Sequence, residues 1–148
     1  MVKYGVSILK KIIFLCLFIP LIAITSDLRT EQKIYKLIIH SLLPQKKEIK
    51  VWSDTPQNRA ILNTIPDIIF VKSPRKADFL LLNHDNIPSV KGIIFVTDFK
   101  LLQKMHNSAV GGFFWQKGRP NILFLRKNLN KKDLTLPKSM QDYIEDTL

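Results

Sequence analysis

Two short segments, Asp78–Leu82 (DFLLL) and Ile93–Val96 (IIFV), carry apolar residues in unbroken runs rather than at every second position. A strand with one face in water alternates, whereas a continuous apolar run is covered on both faces, as in the middle of an α/β sheet. Two further segments read as strands, Ile49–Ser53 (IKVWS) and Asp67–Val71 (DIIFV). Between and around them the period changes to that of a helix. From Asp27 to Leu43 the residues Leu28, Ile34, Leu37, Ile38 and Leu42 recur at helical spacing, with Thr25, Ser26 or Asp27 as cap and Pro44 as stop. Thr55-Pro56 is a helix start, with threonine as cap and proline at the first helical position, and Pro66 ends that helix. Thr97-Asp98 caps a helix from Phe99 to about His106. Val110–Gln116 and Asn121–Arg126 form a hairpin around Lys117-Gly118, Leu129–Leu136 is a polar loop, and Pro137 opens a last helix with Met140, Tyr143 and Ile144 inward. The expected architecture is a single three-layer Rossmann-like α/β domain with a mixed sheet and a C-terminal hairpin plus helix. The connection between the second and third strands is too short for an ordinary parallel crossover, which takes a dozen residues or more. Antiparallel pairing there, or different strand boundaries, is therefore expected.

The N-terminus has the layout of a secretory signal. Lys3, Lys10 and Lys11 precede an apolar run from Ile12 to Ile24, and small residues at Ala23, Thr25 and Ser26 precede the charged chain from Asp27. As a helix the run spans about 20 Å, short of a hydrocarbon core of roughly 30 Å. The expected division is a signal peptide over residues 1–26 and a periplasmic domain over residues 27–148. An uncleaved membrane anchor is the alternative. The bulky Ile13-Phe14-Leu15 before Cys16 does not suit a lipobox. Processing would remove Cys16, the one cysteine, and with it any disulfide or thiol chemistry in the mature domain. It would also remove three lysines and no acid from a chain of formal charge +11. The remainder stays basic, which suits anionic headgroups or acidic protein loops; export removes chromosomal nucleic acid as a target.

Familiar catalytic signatures are missing: no G-x-S-x-G, P-loop, H-E-x-x-H or dinucleotide glycine fingerprint occurs. His40, His84 and His106 lack helix-spaced partner ligands, so no metal site, cofactor or catalytic residue is expected. Two constellations remain. Ser53-Asp54, Asn83-His84-Asp85-Asn86 and Thr97-Asp98 follow apolar strands directly, and in open α/β sheets ligands gather outside the carboxyl ends of parallel strands. As a small-ligand site these would supply Ser53, Asp54, Asn83, His84, Thr97 and Asp98. They are equally suited to capping helices and forming turns. The second constellation is the hairpin, where Phe113, Phe114 and Trp115 run into a turn flanked by Lys117 and Arg119. Aromatics with arginine compose an interface anchor, while core packing is the alternative for the rings.

The order of elements resembles the YfiR-type periplasmic proteins. The pieces that carry the resemblance are Glu31–Leu37 (EQKIYKL) in the first helix, Ile49-Lys50-Val51 in the first strand, Ala77–Leu82 (ADFLLL), Gly118–Leu125 (GRPNILFL) and the stretch to Tyr143. The resemblance implies a non-enzymatic periplasmic regulator that binds the sensor domain of an inner-membrane signalling protein, of kinase or diguanylate cyclase type. That family commonly carries cysteine pairs, which this mature chain lacks, so redox control is not carried over. The sheet is also similar to one lobe of periplasmic solute-binding proteins, which makes a small-ligand receptor the alternative. Homodimer formation is left open.

Overall fold

The computed structural model describes residues 28–148. The expected signal segment over residues 1–26, and the caps sought at Thr25, Ser26 and Asp27, lie outside the described residues. Helix α1 covers residues 28–42. Its buried stripe is Tyr35, Ile38, Ile39 and Leu42, the i, i+3, i+4, i+7 spacing of a helix laid on a sheet. Leu28 and Leu37, expected inside, are exposed; Tyr35 and Ile39 take the inward positions instead.

Strand β1 (Ile49–Ser53) leads into α2 (Pro56–Leu62), whose Thr55 cap accepts from the Asn58 N–H. Strand β2 (Ile68–Phe70) and a 3-10 turn (Pro74–Lys76) precede β3 (Phe79–Leu82) and β4 (Ile93–Val96). Asp98 caps α3 (Phe99–Lys104) through the Leu101 N–H at 3.0 Å. The hairpin is β5 (Ala109–Gln116) and β6 (Arg119–Leu125). Lys117 and Gly118 both have positive φ, 51° and 73°, as the two-residue turn that matches strand twist requires.

Two expectations are corrected at the C-terminal end. Arg126–Lys131 (RKNLNK) is a helix, α4, where strand end and loop were expected. The final segment is a 3-10 helix (Lys138–Tyr143) that runs into a two-residue strand, β7 (Ile144–Glu145), rather than one α-helix.

The strands form one seven-stranded sheet in the order β2-β1-β3-β4-β5-β6-β7. Strands β1 to β5 are mutually parallel, β6 is antiparallel to β5, and β7 is parallel to β6. The short connection between β2 and β3 is thereby explained. These strands do not pair with each other; they lie on opposite sides of β1 and both pair with it in parallel. The crossover passes β1 through the single turn Pro74–Lys76, with Ser73 as its cap.

Because β3 and β4 are buried at every position, each feeds two cores. On one face Phe79, Leu81, Ile93 and Phe95 meet α1 and α2, with Phe124, Leu129 and Met140. On the other, Leu80, Leu82, Ile94 and Val96 meet Leu101, Leu102 and Met105 of α3 and its continuation. The domain is thus a three-layer α/β sandwich, as expected. A register shift between Ile94 and Phe95 places an extra residue in β5 opposite them. Past this bulge Gly111 lies where an added Cβ would come within 2.8 Å of the Phe95 ring and 2.3 Å of the Leu123 carbonyl oxygen. Glycine there lets the Phe95 ring seat against the sheet, where it also meets Phe79 and Phe124 at 6.0 and 5.7 Å between centroids.

Candidate functional site at the strand ends

The parallel strands bring their carboxyl ends to one edge, and the polar residues there divide into two groups. The first group holds the edge together. Ser53 is buried; its hydroxyl donates to the Leu81 carbonyl at 2.8 Å and accepts from the Thr55 N–H. The Asp54 carboxylate accepts from the Asn83 N–H at 2.9 Å, the His84 N–H at 2.8 Å, and lies 3.0 Å from His84 Nδ1. Asp98 is spent on the α3 cap, and Asp85 pairs with Lys104. Ser53, Asp54, His84 and Asp98, expected as ligand-binding residues, are engaged in these contacts and do not line the cavity that Asn83 and Thr97 reach. The Ser53, Asp54 and Asp98 oxygens face backbone groups of neighbouring turns, whereas the His84 ring meets the Asp54 carboxylate and is largely exposed.

Asn83 and Thr97 belong to the second group, which lines a cavity of about 170 Å³. The cavity lies between the strand ends, α1, α2 and the hairpin. Asn83 Oδ1 accepts from the buried Asn58 Nδ2 at 2.6 Å, which fixes the floor. Thr97 Oγ1 donates to the Leu82 carbonyl at 3.3 Å. Glu31 and Tyr35 of α1, Gln57, Asn58 and Ile61 of α2, and Phe113, Phe114 and Trp115 of β5 complete the wall. The two constellations read separately in the sequence thus meet in one crevice.

They meet because the hairpin outruns the sheet. The last β4 partner of β5 is Gly112, opposite Val96. From Phe113 to Gln116, β5 pairs with β6 alone. This overhang is braced on both sides. Phe113 meets Tyr35 edge-on at 5.3 Å, and the Trp115 indole N–H donates to Glu31 Oε1 at 2.9 Å. On the opposite face Phe114 packs on Phe99 at 5.4 Å. Phe113 and Phe114 are buried, 2% and 8% exposed, so they are corrected as surface anchors for a partner. Trp115 is 42% exposed, and Lys117 and Arg119 stand exposed at the tip with no ion pair among the described residues.

Burial, and after it the neighbouring Glu31 carboxylate, pushes the Tyr35 phenol far above its ordinary range, so it is a neutral hydroxyl. Sequence reading missed Glu31, Tyr35, Gln57, Asn58 and Ile61. One signal was available for Asn58: it shares the α2 face of Ile61 and Leu62, and a polar residue on an apolar stripe needs a partner.

Comparison with family models, curated proteins and solved structures finds no match to this chain. Among the described residues no group of three His, Cys, Asp or Glu side chains is placed to hold a metal ion, and no helix is long and apolar enough to cross a membrane.

Proposed function

We propose that the domain is a non-enzymatic regulatory module of the periplasm that docks through its hairpin tip onto the sensor domain of an inner-membrane signalling protein, of kinase or diguanylate cyclase type. The observation that carries this reading is the braced overhang. A ribbon that projects beyond the sheet costs order and exposes backbone. Here it is stiffened by Tyr35, Glu31 and Phe99, and it presents Trp115, Lys117 and Arg119 outward. A rigid aromatic flanked by two unpaired cations suits an acidic protein surface, where charge steers encounter and the ring supplies contact area. The test is affinity capture from inner membranes with the wild-type domain and with the Lys117→Glu, Arg119→Glu pair. Wild type is expected to recover a membrane sensor protein that the equally stable charge-reversed pair loses; undiminished capture by the pair would sink the proposal. Export is tested by cell fractionation, which should find the processed chain in the periplasm.

The cavity favours a second reading, a small-ligand receptor similar to one lobe of a solute-binding protein. It is a crevice lined by polar and aromatic groups at the carboxyl ends of parallel strands, where such sheets take ligands.

A further inference from the structure

We infer that the strand-end cavity takes a small organic cation, a protonated amine or quaternary ammonium group, held by the Glu31 carboxylate, the Tyr35 hydroxyl and the exposed ring of Trp115. This rests on the receptor reading above and names the ligand class for it. Charge is the first argument. The chain has 23 Lys and Arg against 12 Asp and Glu, yet among the described residues no Lys or Arg lines this cavity and its one charged side chain is Glu31. An anion entering it would meet a carboxylate without compensation, whereas a cation would be paired.

The walls supply the second argument. Tyr35 and Phe113 are 5.3 Å apart at 87°, and Phe113 and Trp115 are 6.1 Å apart at 65°. These edge-on contacts bury Tyr35 and Phe113 and leave Trp115, 42% exposed, as the ring with open surface. An ammonium group is drawn to such a π surface.

Unused hydrogen-bonding capacity is the third. Glu31 Oε1 accepts the Trp115 N–H, while its second oxygen makes no hydrogen bond among the described residues. The Tyr35 hydroxyl, on a side chain only 3% exposed, is likewise without a hydrogen-bond partner among them. A carboxylate oxygen and a neutral phenol left open on the same wall suit a ligand with one positive end and one hydroxyl or carbonyl. The space equals that of about six liquid waters, enough for a choline-sized molecule and too little for a nucleotide.

The test titrates the full chain calorimetrically with choline, ethanolamine, the uncharged carbon isostere of choline, and acetate. At least one of the two cations should saturate, with the isostere about tenfold weaker or more, a difference of roughly 1.4 kcal/mol. Glu31→Gln keeps an acceptor for Trp115 but removes the charge, and should weaken the cation by a similar factor while melting as wild type does. Cation binding that survives Glu31→Gln unchanged overturns the assignment. So does binding of the isostere or acetate in place of the cations; Asn83→Ala sensitivity of that binding would leave the receptor reading standing with the wrong ligand class. No heat with any of the four overturns the assignment and counts against the receptor reading as well.

Discussion

Replacing Asp54 with alanine should loosen the whole strand-end edge, and the structure sets the size of the effect. The carboxylate accepts two backbone N–H groups, from Asn83 and His84, at 2.9 and 2.8 Å. Its third contact, His84 Nδ1 at 3.0 Å, belongs to an imidazole that is 69% exposed. Hydrogen bonds to a charged acceptor contribute about 1.5–3 kcal/mol each. Asn83 and His84 lie at the surface, so water replaces part of what is lost. Two such bonds at the low end of that range amount to about 3 kcal/mol, which solvent compensation reduces to about 2.5 kcal/mol. For a domain of this size that is a fall of roughly 10 °C in Tm. His84→Ala removes only the exposed contact and should cost under about 0.5 kcal/mol. Asp54→Asn keeps one acceptor oxygen and should fall between. Thermal melts followed by circular dichroism give the ranking, and hydrogen exchange of the amides at 83 and 84 shows whether the opening is local. If Asp54→Ala melts with His84→Ala, Asp54 does not organise this edge and the explanation for its position is wrong.

Gly111→Ala puts a Cβ against the Leu123 carbonyl and the Phe95 ring. Overpacking of this kind costs about 1–3 kcal/mol, to be read from the urea midpoint; a midpoint equal to that of wild type would refute the close approach. Asp78 is pushed up by burial, but the Lys46 ammonium at 2.7 Å and the Lys50 N–H at 2.9 Å outweigh this and hold its carboxyl below its ordinary value of 3.8. A depressed folded pKa stabilises at pH above the unfolded value, and that contribution fades as pH falls through the folded one. The Tm advantage of wild type over Asp78→Asn should therefore be constant near neutrality and close below about pH 4; a gap that persists to acid would rule out the ion pair as its source.

The sequence reading succeeded where one local rule was enough. The strands Ile49–Ser53 and Ile93–Val96 match to the residue, because a short apolar run bounded by polar turns admits few other structures. The caps Thr55 and Asp98 were visible for the same reason. It failed on α4, where Leu129 is the one apolar residue in Arg126–Lys131 and no periodicity can show. It failed on β7, two residues whose strand character comes only from pairing with Phe124 and Leu125. At the site, Asn83, Thr97 and the hairpin aromatics were visible as types. That they share one crevice was not, because it depends on how far the β5–β6 ribbon outruns β4 and on which α1 residues reach it. Of the strand-end polar residues, sequence could not distinguish those that hold the turns from those that face the cavity. Either role uses the same short polar side chains.

The position of β1, between two strands that both come after it in the chain, has a kinetic consequence. Only the β5–β6 ribbon can close from neighbouring residues, on a microsecond scale of about 1–10 μs. Every other pairing among β1 to β5 waits for a crossover, and parallel sheets zip slowly for that reason. A chain built this way leaves its N-terminal half open while the ribbon is already formed.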